Sequence, residues 1–89
     1  MTEPEQGRIQ FPCPWEMRVI AMGDQAEAVR RALVSLLERD GQASAVTDGA
    51  ASSQGRYVAF RVTFTAHDRG YLEEFSRSVS SVPGVKMLL

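Results

Sequence analysis

Hydrophobic and polar residues alternate along three stretches of the chain, and this period-two pattern is typical of half-buried strands. The first stretch, 15–22, separates apolar residues on one face from charged residues on the other. The second, 56–66, is longer and places Phe60 and Phe64 on one face, among β-branched residues that favour strands. A shorter alternation over 85–89 predicts a final strand.

Two further stretches carry apolar residues at intervals of three and four, the spacing of a buried stripe along a helix. They predict helices over 25–39 and 69–80. Asp24 and Asp68 precede these stretches as N-cap residues, and Gly41 is placed to end the first helix in a left-handed conformation.

The segment between the first helix and the long strand is harder to assign. An Ala-rich stretch over 43–47 predicts a weak strand, and the composition of 48–55 predicts a loop. The resulting order, β-α-β-β-α-β, predicts a ferredoxin-like α+β two-layer sandwich, with a four-stranded antiparallel sheet and two helices on one face. Residues 1–10 are expected to form a flexible lead, and 11–89 a single domain.

Three short blocks stand in a recognisable order along the chain: Phe-Pro-Cys-Pro-Trp at 11–15, Ser-Ser-Gln-Gly-Arg-Tyr at 52–57, and Val-Pro-Gly-Val-Lys-Met-Leu-Leu at 82–89. In this order and spacing, over 9–89, they resemble the YbeD-like family of small bacterial domains of unknown function. That family is similar to the ACT regulatory domains in fold and is labelled a lipoate-related regulator. The resemblance implies a regulatory domain, but it supplies no catalytic or binding residue.

Composition narrows the range of functions. The chain has 89 residues, with 10 Lys and Arg against 11 Asp and Glu, so its formal net charge is −1. Near-neutral charge disfavours a general polyanion binder. One cysteine and one histidine cannot form an internal disulfide or a zinc cluster, so neither a metal nor another cofactor is expected. Without an apolar run suited to export or membrane spanning, we expect a cytoplasmic protein that does not enter a membrane.

Residues capable of catalysis have simpler structural interpretations. Cys13 lies between two prolines without an adjacent cation, and His67 and Asp68 are expected to end a strand and cap a helix. Neighbouring side chains in extended backbone point apart, which disfavours a local His–Asp pair. An acylphosphatase-type enzyme on this fold would need a water-orienting asparagine, and the chain contains no asparagine. We therefore expect that the protein is not an enzyme.

The sheet face that the helices leave uncovered, called the open face below, is the most informative predicted surface. Alternation places three cations there against the single carboxylate of Glu16, together with apolar side chains. The candidate residues for binding a partner or ligand are Arg18, Ile20, Tyr57, Arg61, Lys86 and Leu88.

A face of this mixed character favours a non-enzymatic regulatory or interaction module that binds a protein partner or a small ligand, with a homodimer through the sheet as a further expectation. A nucleic-acid-binding module on the same fold is the alternative. Such modules stack bases on at least two aromatic side chains of this face, whereas alternation supplies only Tyr57. A merely solvated sheet is the remaining interpretation.

Overall fold

The computed structural model describes residues 10–42, 46–51 and 55–89. Its strands are β1 (Cys13–Met22), β2 (Val46–Ala51), β3 (Tyr57–Ala66) and β4 (Val85–Leu88), and its helices are α1 (Ala26–Arg39) and α2 (Arg69–Ser80). The strands form one antiparallel sheet in the order β2-β3-β1-β4, with both helices packed on one face. The predicted ferredoxin-like α+β sandwich is confirmed. The expected lead at 1–10 lies almost entirely outside the described residues.

One hydrophobic core fills the space between the sheet and the helices. Phe60 and Phe64 are 3% and 6% exposed and lie on the helix side, as the alternation predicts. The ring of Phe64 packs against that of Phe75 in α2, with 4.5 Å between centroids. The buried set comprises Met17, Val19, Ala21, Val29, Leu33, Leu37, Phe60, Val62, Phe64, Ala66, Phe75 and Val79. Because this layer uses the inward residues of β1 and β3, the alternate residues of both strands form the open face.

The prediction for the second strand is wrong in its boundaries. The strand runs over Val46–Ala51, where the sequence predicts mostly loop, whereas 43–45 and 52–54 lie outside the described residues. Asp48 and Gly49 are poor strand formers, but pairing with β3 overrides their propensity. The carboxylate of Asp48 pairs with Arg30 of α1, and a side chain at Gly49 would lie 3.0 Å from the carbonyl oxygen of Ala59.

The helix ends confirm two of the three predicted signals. Asp68 caps α2 by accepting a hydrogen bond from the Tyr71 amide at 2.8 Å. Gly41 has φ of +72° and closes α1 by donating its amide to the Glu38 carbonyl, as in a Schellman motif. The predicted Asp24 cap is wrong, because Asp24 lies inside a 3₁₀ turn (Gly23–Gln25) that runs directly into α1. No side chain caps the start of that helix.

The residue after the Gly41 turn ties α1 to the sheet. The Gln42 side-chain amide donates to the Thr65 carbonyl at 2.9 Å and accepts from the Thr65 amide at 3.0 Å. The side chain of Gln42 thus satisfies the backbone of β3 beyond the start of β2, where no strand residue is paired with Thr65 in the described structure. Since both polar groups of Thr65 point away from β1, Pro14 lies opposite Thr65 without losing a hydrogen bond of the ladder.

A polar cluster beside the Gln42–Thr65 hydrogen bonds joins the two helices. The Tyr71 hydroxyl of α2 donates to the Asp40 carboxylate at 2.8 Å, and Arg39 donates to the same carboxylate at 2.9 Å. The hydrogen bond from Arg39 lowers the pKa of Asp40, and the bond from Tyr71 adds to this effect. Burial raises the pKa of the Tyr71 phenol, and its bond to Asp40 raises it further.

We expect Phe60→Ala to lower the free energy of unfolding by about 3–5 kcal/mol, because it removes a buried ring from the core. Tyr57→Ala changes an aromatic residue on the opposite face of the same strand and should cost clearly less. Urea unfolding followed by circular dichroism measures both. Equal costs, or a larger cost for Tyr57→Ala, would mean that the faces of β3 are assigned wrongly.

The lowered pKa of Asp40 makes stability depend on acid pH. The ionised carboxylate contributes its full stabilisation above its unfolded pKa of about 3.9, and this contribution disappears as pH falls through the lower folded value. The decrease in unfolding free energy between pH 6 and pH 2 should therefore be smaller in Asp40→Asn, and intermediate in Tyr71→Phe. An unchanged pH dependence in Asp40→Asn would contradict this assignment.

Candidate functional site on the open face of the sheet

Strand pairing places four of the six predicted residues together on the open face. Arg18 lies opposite Arg61, and Ile20 lies opposite Ala59, across the junction of β1 and β3. Tyr57 lies opposite Met22 at the end of the same junction. The open face of the described strands comprises Pro14, Glu16, Arg18, Ile20, Met22, Thr47, Tyr57, Ala59, Arg61, Thr63, Thr65, Met87 and Leu89, and the unpaired Lys86 lies beside it.

The placement predicted for Leu88 on this face is wrong. The pairing of β4 with β1 shifts register between Val85 and Met87, because Lys86 is an extra residue that has no partner on β1. Such a bulge reverses the alternation on its far side. Leu88 therefore lies opposite Val19 and packs against the core, whereas Met87 lies opposite Ile20 on the open face. Lys86 itself remains near this face, with its Nζ 5.9 Å from the centroid of the Tyr57 ring.

The two arginines at the centre of the open face are held close together by their backbone geometry. The backbone of Arg18 exchanges two hydrogen bonds with that of Leu89, at 3.3 and 2.8 Å. The backbone N–H and C=O groups of Arg18 therefore point towards β4 and away from β3. Arg18 and Arg61 therefore form a non-hydrogen-bonded pair, the kind in which opposite Cα atoms are only about 4.5 Å apart. Like charges placed directly opposite in a sheet destabilise it.

Within the described part of the chain, one of these two cations has an acidic partner and the other has none. Arg61 donates from Nε to the Glu16 carboxylate at 2.8 Å, in a pair whose side chains are both about half exposed (52% and 53%). Arg18, on the central strand, makes no ion pair with any residue that the structure describes. The three side chains together carry a net charge of +1 on the open face.

A shallow cavity of about 170 Å³ lies beside the two arginines. Gly49, Ala59 and Phe60 form part of its lining, and of these Gly49 has no side chain and Ala59 has only a methyl group. Arg18 and Arg61 line it as the polar elements. Its volume is several times the share of about 30 Å³ that one water molecule takes in the liquid, which leaves room for a carboxylate-sized group.

Apolar side chains occupy the other half of the open face. Met87 and Leu89 are 47% and 68% exposed and are the exposed large hydrophobic residues of the described chain. They lie beside Ile20 and Arg18 across the junction of β1 and β4. Strict alternation over 85–89 puts Lys86 and Leu88 on the open face, so it does not predict Met87 and Leu89 as site residues. The bulge that exposes them has no clear signal in the sequence.

Tyr57 is the aromatic residue that the described strands place on the open face. Its ring receives Lys86 at a distance within the usual range of a cation–π contact. The next residue of β3 on this face is Ala59. A bound nucleic acid would therefore find no second aromatic ring on β3 on which its next base could stack. The arrangement lacks the pair of aromatic platforms that base stacking on a sheet requires.

The residues considered for catalysis lie elsewhere and have structural contacts. The Asp68 carboxylate caps α2, and the His67 ring packs edge-on against Tyr71 with 5.2 Å between centroids. Cys13 is a half-buried free thiol at the start of β1. Over the described ranges there is no cluster of three or more potential metal ligands, nor a helix long and apolar enough to cross a membrane.

Taken together, the molecule is an α+β two-layer domain whose helices cover one sheet face and whose other face carries a charged and apolar surface. Residues 6–89 match DUF493, a family described as proteins of unknown function, and the chain belongs to that family. The resemblance to the YbeD-like domains is thereby confirmed.

Solved structures share this fold at low sequence identity. Two solution structures of the Helicobacter pylori protein HP0495 have TM-scores of 0.80 and 0.67, at 21% and 19% identity. They cover 100% and 99% of this chain and 97% and 98% of the Helicobacter chain. The C-terminal domain of MgtC from Mycobacterium tuberculosis has a TM-score of 0.68 at 20% identity, covering 85% of this chain and 82% of that domain. None of the curated proteins matches the sequence.

The opposed arginines give a direct test of the site geometry. We expect Arg18→Thr to raise the free energy of unfolding by about 0.2–1 kcal/mol, because it removes the repulsion across the strand pair. Arg61→Thr removes the same repulsion but also loses the exposed ion pair with Glu16, so its gain should be smaller. Urea unfolding at low ionic strength measures both variants. A clear loss of stability in Arg18→Thr would show that the guanidinium has a structural partner.

Proposed function

We propose that the domain is a non-enzymatic interaction module whose open face binds a segment of a partner protein that carries both a carboxylate and a large apolar side chain. The observation that supports this most directly is the arginine pair at the centre of the face. Arg18 has no ion-pair partner among the described residues and lies directly opposite Arg61. An incoming carboxylate would supply the charge that this surface lacks.

The apolar half of the face supports a protein partner over a free inorganic ion. Ile20, Met87 and Leu89 adjoin the arginines, and burying exposed apolar surface is a main source of binding free energy. Neighbouring strands are about 4.8 Å apart, and residues two apart on one strand are about 7 Å apart. An extended partner segment with an acidic residue two positions from a large apolar residue therefore matches the spacing of this face.

Two other occupants are less well supported. If the open faces of two copies met, the Arg18 and Arg61 side chains of one copy would approach those of the other. Repulsion between like charges disfavours that arrangement. Nucleic acid would find cations on this face but a single aromatic residue, Tyr57, for base stacking. Both become outcomes of the experiment below. A regulatory role of the kind that the family resemblance implies would follow from binding such a partner.

Selection from a displayed library of random twelve-residue peptides tests the proposal. Peptides enriched on the wild-type domain should combine Asp or Glu with Leu, Ile, Met or Phe two positions away. Amide shifts in NMR spectra should map the bound peptide to β1, β3 and β4. Arg18→Glu should weaken binding about tenfold or more, because it removes a charged hydrogen-bond donor and repels the acidic residue.

The choice of Arg18→Glu separates binding from folding, since the new carboxylate faces Arg61 and the sheet should remain at least as stable. Arg31→Glu on α1 is the matched control. Arg31 is 77% exposed on the helical side of the molecule, and its ion-pair partner among the described residues is Glu27, at 3.6 Å. Basic peptides, peptides that map to the helices, or equal losses in the two variants would contradict the proposal. Self-association that displaces the peptide, measured by light scattering, would favour a homodimer instead.

A further inference from the structure

The cavity beside the arginine pair has the form of a small anion site within the larger open face. Arg18 and Arg61 are its charged lining residues, and Gly49, Ala59 and Phe60 complete the lining. Ala59 of β3 lies opposite Ile20 of β1, so the cavity borders the apolar half of the face. At about 170 Å³ it is too small for an extended ligand and large enough for one oxyanion with water.

Glycine at position 49 keeps this space open for a geometric reason. A Cβ atom at Gly49 would lie 3.0 Å from the Ala59 carbonyl oxygen and 3.3 Å from the Ala59 Cβ. The close approach occurs where the pairing of β2 with β3 shifts register, between Asp48 and Ala51. The irregular pairing therefore brings the backbone of β2 close to β3 at Gly49, which has no side chain, and at Ala59, which has only a methyl group.

The charges around the cavity favour one class of anion. Arg61 already shares its charge with Glu16, whereas Arg18 has no counter-charge among the described residues. The side chains of Arg18, Arg61 and Glu16 sum to +1, which the single negative charge of a carboxylate would neutralise. A phosphate monoester, with a charge between −1.5 and −2 at neutral pH, would leave an excess negative charge beside Glu16. Guanidinium groups also bind the two oxygens of a carboxylate with favourable planar geometry.

We propose that this cavity is a carboxylate-binding subsite, formed by Arg18 and Arg61, that receives the Asp or Glu side chain of the bound partner segment. The inference rests on the proposed function and adds to it a specific position and chemical class. A carboxylate bound between the two guanidinium groups would also offset the repulsion of two like charges that lie opposite each other in the sheet.

The full-length domain, labelled with ¹⁵N, is titrated with the capped tripeptide acetyl-Ala-Asp-Ala-amide at fixed ionic strength. We expect saturable shifts of the side-chain Nε–H signals of Arg18 and Arg61, with a Kd on the order of 1–10 mM for so small a probe. The neutral tripeptide acetyl-Ala-Asn-Ala-amide should cause no saturable shift. Inorganic phosphate should bind more weakly than the Asp tripeptide at pH 7.5.

Arg18→Gln should weaken binding of the Asp tripeptide about tenfold, because it removes one of the two charged donors. Arg31→Gln should leave binding unchanged. Phosphate binding as tightly as the Asp tripeptide would overturn the assignment to carboxylates. Shifts that are linear, or that affect Arg31 equally, would overturn the site itself.

These results are separable from the test of the proposed function. If selected acidic peptides bind the open face and lose affinity in Arg18→Glu, but the Asp tripeptide does not bind at Arg18 and Arg61, the proposed function stands and the carboxylate subsite is wrong. If the tripeptide binds at Arg18 and Arg61 while no longer peptide binds this face, the subsite stands and the protein-binding function is wrong.

Discussion

The antiparallel pairing of β1 with β3 over ten residues determines which side chains enter the core and which face solvent. Because side chains alternate strictly along a strand, fixing Val19 opposite Phe60 in the core also fixes Arg18 opposite Arg61 on the other face. A slip of β1 by one residue against β3 would turn Arg18 to the core face and Val19 to solvent. The core and the candidate site are therefore two consequences of one register, and neither can change without the other.

Much of the fold could be predicted from the sequence because its signals are local. Alternation marks β1 and β3, helical spacing marks α1 and α2, and Gly41 and Asp68 mark helix ends through their own backbone or side-chain bonding. The prediction fails where long-range contacts decide the outcome. Strand β2 contains Asp48 and Gly49, and it becomes a strand only through its partner β3 and the Arg30 contact.

The candidate site was predictable to the extent that alternation holds. Arg18, Ile20, Tyr57 and Arg61 lie on regularly paired strands, and they share the open face as predicted. Leu88 does not, because the bulge at Lys86 reverses the two faces of β4 and exposes Met87 in its place. The cavity could not be predicted either, since it depends on an irregular approach of Gly49 to Ala59 between strands far apart in sequence.

Charge complementarity with Arg18 is the central claim, and a charge-swap cycle tests it most directly. The affinity of a selected peptide and of the same peptide with its acidic residue changed to Lys is measured for the wild-type domain and for Arg18→Glu. If the acidic residue meets Arg18, each single change weakens binding and the double change restores a substantial part of the loss. Additive losses without restoration would show that the partner's charge does not contact Arg18, and the account of the open face would be wrong.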